Sequence, residues 1–466
     1  MEKAMISIKR KLVNHLAATF LASGTAVGTL LLIPTAAQSA WDLDPLTLTN
    51  VNGTLYFSAY DSNTSVELWK SNGTKAGTVL VKDINPGRSS PSYPEYLTNV
   101  NGTLFFSANN GTQGRELWKS NGTAAGTVLV KDINPGGNSL LRGLTNVNGT
   151  LFFFVYTSQG YQLWKSNGTA IGTVLVKAIG SPSPPEKPTD VNGTLYFVAN
   201  NGTLGKELWK SNGTAAGTVI VKDIRPGSNG SFPQYLTNIN GTLFFGAYNG
   251  TQGKGLWKSD GTTAGTVLVK EISRYSSNLG ARYLTNVNGT LYFNANGELW
   301  KSNGTTAGTV LVKDIYPGGL VSNPMDLTNV NGTLYFRASN GTQGRELWKS
   351  NGTAVGTVLV KDIVSGSDSP FPYTTSDPFF TDVNGTLYFR AYLPTTGWEL
   401  WKSNGTAAGT VLVKDIIPGS GSPFPNNSNN FTNVNGTLFF GVQATTGDYE
   451  LWKSNGTGTG TVKVYP

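Results

Sequence analysis

The chain of 466 residues holds 58 Gly, 22 Pro and no Cys, only 13% of it is charged, and its net charge is +8. So little charge excludes a coiled coil or a charge-driven disordered tail, and the 11% aromatic content supplies the apolar area of a packed core. The sole histidine is His15, so disulfides, thiol nucleophiles, Ser-His-Asp triads and Cys/His metal or haem ligation have nothing to be built from beyond that point.

The first 39 residues differ in kind from the rest. Lys3, Lys9, Arg10 and Lys11 precede an apolar run over 16–33, and Pro34 is followed by small residues at Ala36, Ala37 and Ser39. This pattern predicts a secretory signal over 1–39, cleaved after Ser39, and a secreted, periplasmic or cell-surface protein with no membrane span thereafter. A run of 18 residues also reaches the lower limit for a spanning helix, so a retained anchor stays open as the alternative. Without this segment the net charge falls to +5, and the recurrent charges come in near-neutral sets such as Glu67, Lys70, Lys82 and Asp83. Nucleic acid is therefore not an expected partner.

Residues 40–466 are a repeat domain. Leu-Trp-Lys occurs nine times, at Trp69, Trp118, Trp164, Trp209, Trp257, Trp300, Trp348, Trp401 and Trp452, at spacings of 43 to 53 residues. Asn-Gly-Thr-Leu-(Tyr/Phe)-Phe also occurs nine times, starting at Asn52, Asn101, Asn148, Asn192, Asn240, Asn288, Asn331, Asn384 and Asn435. Within one module four strand-length segments come in order: Tyr96 to Val100, Thr103 to Ala108, Arg115 to Lys119 and Thr127 to Ile133. Asn101-Gly102 joins the first two as a type I′ turn, and Gly- and Asn-rich turns join the others. No window has helical spacing. The fold expected is all-β, made of four-stranded antiparallel meanders.

Adjacent apolar residues such as Leu104-Phe-Phe and Val128-Leu-Val need cover on both faces of each sheet. Sheets covered on both faces by copies of themselves are propeller blades, and the strand number and period agree. A nine-bladed β-propeller is the first reading. Eight blades with one divergent module outside the ring, or an open β array, are the alternatives. The array begins on a first strand and ends on a fourth, so closure falls to blade packing or to an added edge strand from Trp41-Asp-Leu-Asp-Pro, which is similar to Lys82-Asp-Ile-Asn-Pro.

Glu116-Leu-Trp-Lys-Ser-Asn-Gly-Thr and the Ala-Ala-Gly-Thr-Val-Leu-Val-Lys-Asp-Ile-Asn-Pro-Gly after it resemble the ELWxxDGT repeat family of exported bacterial proteins, sometimes labelled hyalin-like, and all nine modules share the likeness. The resemblance implies an exported repeat protein and brings no catalytic residues with it. The pattern is not kept throughout. The Asp of Asp-Gly-Thr stands only at Asp260, Asn replaces it in the other eight modules, and the Glu becomes Gln162 and Gly255 in two. A tight turn accepts either Asn or Asp.

The recurrent residues read mainly as structural. The nine Trp suit inter-blade packing, the Asn-Gly-Thr triplets suit turns over glycosylation, and the lysines after Trp and in the Lys-Asp pairs suit solvated or rim ion pairs. Variation has a place of its own. In an up-and-down blade the first and third turns share one face with the constant Asn-Gly and Asn-Gly-Thr-x-x-Gly sequences, while second turns and links share the other. That variable face carries the links at 88–96, 181–188, 274–283 and 369–380. Loops on a rigid scaffold are where recognition resides, and Tyr and Trp are low-entropy anchors. The candidate ligand-binding residues are Tyr93, Tyr96, Tyr161, Tyr275, Phe371, Tyr373, Trp398 and Tyr449, on this face or at the axial channel mouth beneath it.

Two function classes remain. The first is an exported, non-enzymatic binding or adhesion module for a glycan, envelope component or partner protein, since nine similar units let avidity build from weak contacts. The second is a carbohydrate-active enzyme, a glycoside hydrolase or lyase, using acids on the variable face. The near-identity of the modules favours the first, because an enzyme needs one asymmetric constellation. No catalytic residue, metal ligand or cofactor is assigned: no Gly-rich phosphate loop precedes a helix.

Overall fold

The structure is a computed structural model and describes residues 41–43, 48–251, 253–273, 280–318, 321–371, 380–424 and 431–465. The proposed signal over 1–39 lies outside the described residues, as do Tyr275 and Tyr373. Among those described there is no helix, and the strands form nine antiparallel sheets.

Blade one contains β1 (Trp41–Leu43), β2 (Thr49–Val51), β3 (Thr54–Asp61), β4 (Ser65–Ser71) and β5 (Val79–Lys82). β2 to β5 form the meander; β1 pairs with the far end of β3, Trp41 opposite Asp61, and so continues the line of β2. The remaining blades span 95–131, 141–181, 186–222, 234–273, 282–313, 325–361, 381–414 and 432–465, each with four strands in sequence order. The nine-bladed propeller expected from the period is the fold.

Local chemistry sets each turn. Both residues of the Asn-Gly pair in each first turn take positive φ, 48° and 84° at Asn101-Gly102, as a type I′ hairpin requires. A side chain at Gly102 would put its Cβ 2.3 Å from the Asn52 amide of the preceding blade, so this glycine serves close approach as well as turn geometry. In the third turn the Asn72 carboxamide accepts from the Thr74 N–H and hydroxyl, and the Thr74 hydroxyl accepts from the Gly77 N–H. Asp260 makes the same turn in blade five, so Asp and Asn are structurally equivalent at this place.

The core is a series of layers between blades rather than one centre. Val51, Tyr56, Leu68, Val81 and Ile84 of blade one meet Leu104, Phe106, Ala108 and Trp118 of blade two, and the layer repeats around the ring. Trp118 is buried in its layer, as inter-blade packing predicts. The lysines correct the expectation of rim ion pairs. Lys70 donates to the Gly122 carbonyl and Lys82 to the Thr127 carbonyl of the next blade, at 2.8 Å each, while the Lys82 ammonium sits 5.9 Å from the centre of the Trp118 ring. A blade's turn carbonyls face its neighbour's long side chains, and a lysine stem long enough to cover apolar surface reaches them.

Closure uses the same contacts. Lys453 of blade nine donates to the Gly73 carbonyl at 2.7 Å, Asn50 to the Asn433 carbonyl at 2.9 Å, and Leu55, Phe57 and Trp69 share a layer with Val434, Phe439 and Leu451. β1 also lies beside the third strand of blade nine, Tyr449–Ser454. The first segment thus adds a strand, as the sequence suggested, but in line with the inner strand of blade one.

Candidate functional site

The variable face is organised by the glutamate of the repeat motif. Glu67 is fully buried at the start of β4; it accepts the Ile84 N–H at 2.9 Å and, from Ser92, the N–H at 3.0 Å and the hydroxyl at 2.6 Å. Glu207 and Glu298 bind their links in the same way through Ile224 and Ser231, and Ile315 and Ser322. Glu116 holds Ile133 and Ser139. One carboxyl group therefore straps the link onto its sheet in these four blades. Burial pushes the carboxyl groups of Glu67, Glu116 and Glu207 up to about 7 and those of Glu346 and Glu399 to about 8, against the pull of the hydrogen bonds. Asp83 raises Glu67 further, so the Lys-Asp sequence is no ion pair: its Lys reaches the next blade and its Asp faces the strap. Blades three and nine bond differently. Gln162, and Glu450 in blade nine, accept instead from the indole N–H two residues on.

The strap also fixes the backbone just beyond it. The residue after the bound serine takes left-handed φ: Tyr93 44°, Leu140 32°, Phe232 50° and Asn323 47°. Tyr93, Leu140 and Phe232 are 50%, 48% and 47% exposed. Three residues further on, a bulge at the inner strand puts a second residue in the same conformation: Tyr96, Gly143, Tyr235, Tyr283 and Asp326, with Lys187 at the matching place in blade four. Non-glycine residues in this region cost of order 1–3 kcal/mol each and persist where surrounding structure holds them. These four links so present one residue at the shoulder of the face and one at its inner rim. On that rim the Arg142 guanidinium donates to the Tyr96 hydroxyl at 3.2 Å, the Tyr235 and Tyr283 rings lie 5.4 Å apart, and Asp326 pairs with the buried Arg337.

Of the candidate residues named from the sequence, Tyr93 and Tyr96 are exposed here. Three others are core. Tyr161 packs with Phe154 and Ile179, Phe371 lies against Phe380 and Phe389, and Trp398 is covered by the Arg390 guanidinium 4.7 Å from its ring centre. Their apolar area fills the space beneath a link, and burial outweighs exposure of a large ring. Tyr449 is half-buried against the layer that closes the ring. Residue type alone missed Leu140, Phe232, Arg142, Lys187, Lys254 and Arg282. A positional signal was present for Phe232: Ser-x-Pro, at Ser92-Tyr-Pro and Ser231-Phe-Pro, marks the exposed place.

No family model matches the chain, and no curated protein matches it. Among solved structures it is similar to puromycin hydrolase in complex with PGG, at 12% identity and a TM-score of 0.35, over 77% of this chain and 58% of that one. It is also similar to a prolyl endopeptidase, at 12% identity and a TM-score of 0.40, over 78% of this chain and 54% of that one. A third, an uncharacterized protein from Listeria monocytogenes EGD-e, has 10% identity and a TM-score of 0.35, over 70% of this chain and 95% of that one. The chain spans little more than half the length of the hydrolases it matches, and likeness this distant carries no chemistry across.

Proposed function

We propose that the protein is an exported binding or adhesion module that recognises a glycan, or a glycan-bearing envelope component, through the variable face. The observation that carries this reading is the set of exposed Tyr93, Leu140 and Phe232, each held in left-handed φ at the same place in its link. Asn323 occupies that place in another blade, so a relaxed residue fits there, and the aromatic and aliphatic ones retain strain at the surface. The opposite face is taken up by inter-blade bonds from its lysines and turns. Repeated shoulders on one rigid ring suit a repeating or multivalent ligand, whose weak contacts add through effective concentration.

The test is a glycan array with the full chain, followed by titration of any hit. Tyr93→Ser combined with Leu140→Ser should weaken binding by about tenfold or more, since exposed anchors of this kind each contribute on the order of 1 kcal/mol or above. Ile171→Ser and Val355→Ser, at third turns on the constant face where the side chains are 92% and 90% exposed, should leave it unchanged. Loss of binding in the second pair with retention in the first would assign recognition to the wrong side and overturn the reading.

A further inference from the structure

The tryptophan of the repeat motif finds its hydrogen bond in some blades and not in others. In blade three the Trp164 indole N–H donates to the Gln162 carboxamide at 3.0 Å, and in blade nine that of Trp452 donates to the Glu450 carboxylate at 2.9 Å. In blades two, four, seven and eight the indole nitrogens of Trp118, Trp209, Trp348 and Trp401 are buried and meet no acceptor among the described residues. A second group is unmet in the same four blades. Oδ1 of Asp132, Asp223, Asp362 and Asp415, the aspartate of each Lys-Asp pair, is buried without a donor. Blade three has Ala178 at that place in the sequence and blade nine has Pro466. An unmet indole thus goes with the acid, and a bonded indole goes with its loss.

The side chains concerned border one small volume. Gln162 sits directly across the ladder from Ala178, so the glutamate and aspartate places of the motif are neighbours. Burial first, and then the charge of Asp132, raises the Glu116 carboxyl, and Asp415 acts in the same way on Glu399. Two positions along the strand, the indole N–H points back at the glutamate place, as its bonds to Gln162 and Glu450 show. In blade two the carboxyl group turns instead to the Ile133 N–H and the Ser139 hydroxyl, so an oxygen beside the indole has to come from elsewhere. The aspartate does not supply it directly, because its Oδ1 and the indole nitrogen make no hydrogen bond. In blades two and eight Oε1 of the fully buried Glu116 and Glu399 is unmet as well. Buried polar groups without any partner are rare in folded proteins, and here they recur as a set.

We propose that blades two, four, seven and eight each bind one internal water molecule at this place, bridging the indole N–H of the motif tryptophan to the aspartate at the root of the link. Its oxygen stands where the Gln162 oxygen stands in blade three and accepts from the indole. One hydrogen goes to Asp Oδ1, and in blades two and eight the other goes to Glu Oε1. Buried waters make about three hydrogen bonds of this kind, to groups that otherwise go unmet. A metal cation suits the carboxylates but not the site, because the indole turns the positive end of its N–H toward it. The outer aspartate oxygen stays available to the surface, where Oδ2 of Asp362 accepts from the Gln343 carboxamide at 3.3 Å. Each water ties the start of a variable link to a tryptophan of the inter-blade layer, whichever ligand the face above binds.

The experiment is a high-resolution crystal structure of the full chain, from crystals grown with a chelator and again with calcium. The same single density peak is expected in all four blades under both conditions, about 2.7–3.2 Å from the indole nitrogen and from Asp Oδ1, with none between Trp164 and Gln162. A peak present only with calcium, with oxygen neighbours at about 2.3–2.6 Å, would make this a cation site and overturn the assignment. A direct indole-to-aspartate hydrogen bond, or no peak at all, would overturn it too. Glu399→Gln combined with Asp415→Ala gives blade eight the pair found in blade three. In that variant the blade-eight peak should vanish and the carboxamide at 399 should accept from the Trp401 indole, while the peaks of blades two, four and seven remain. Persistence of the blade-eight peak would contradict the bridge.

Discussion

At the scale of single residues, the links keep conformations that their side chains do not favour. Tyr93 and Phe232 in left-handed φ should both be relieved by Asn, the residue found at position 323. Tyr93→Asn with Phe232→Asn is expected to raise stability by about 1 kcal/mol or more in denaturant unfolding, while lowering affinity for any glycan the protein binds. The strapping glutamates give a second residue-scale expectation. Their folded values, about 7 to 8, stand above the ordinary carboxylate value of 4.5, so the native state binds more protons than the unfolded chain between those limits. Stability from this source is therefore fully present below pH 4.5 and is lost as pH rises through 7 to 8. The melting temperature should fall by a few degrees between pH 5 and pH 9, and Glu346→Gln with Glu399→Gln should flatten that slope. The sequence displayed each glutamate but not its partner, because the serine that completes the strap lies about 25 positions away in a segment whose length varies.

Elements are joined mainly by what crosses from one blade to the next. Lys82 and Trp118 belong to adjacent blades yet form one contact, the ammonium over the ring and on to a turn carbonyl. Lys82→Met, which keeps the stem and removes the charge, should cost roughly 1 kcal/mol. Trp118→Ala should cost about 3–5 kcal/mol by opening a cavity in the layer, read as a shift in the midpoint of urea unfolding. Strands and turns were legible from the sequence, because Asn-Gly turns and doubly apolar strands are local signals. The lysine bridges were not. Their acceptors are backbone carbonyls some 40 to 50 positions on, and a backbone acceptor leaves no mark on residue choice. For the same reason Tyr161, Phe371 and Trp398 looked like surface anchors: an aromatic residue in a variable segment can as well fill the space under that segment as stand above it.

Across the whole molecule, nine blades divide their chemistry between two sides. One side repeats nearly without change, because its turns touch neighbours that are themselves repeats. The other changes from blade to blade, with glutamate straps beneath several of its links. The ring closes through the same bonds that join any two blades, Lys453 to Gly73 and Asn50 to Asn433, together with β1. Repeat number and period made the wheel legible in the sequence, and the topology of up-and-down blades assigned the two faces; what the sequence left open was which residues on the variable side project. The absence of cysteine from the chain allows a direct test of the division. Single-cysteine variants Leu140→Cys and Ile171→Cys, each coupled to a bulky polyethylene glycol, are compared for binding to a glycan the unmodified protein retains. Blocking at position 140 should abolish binding and blocking at position 171 should leave it intact; the reverse result would contradict the account.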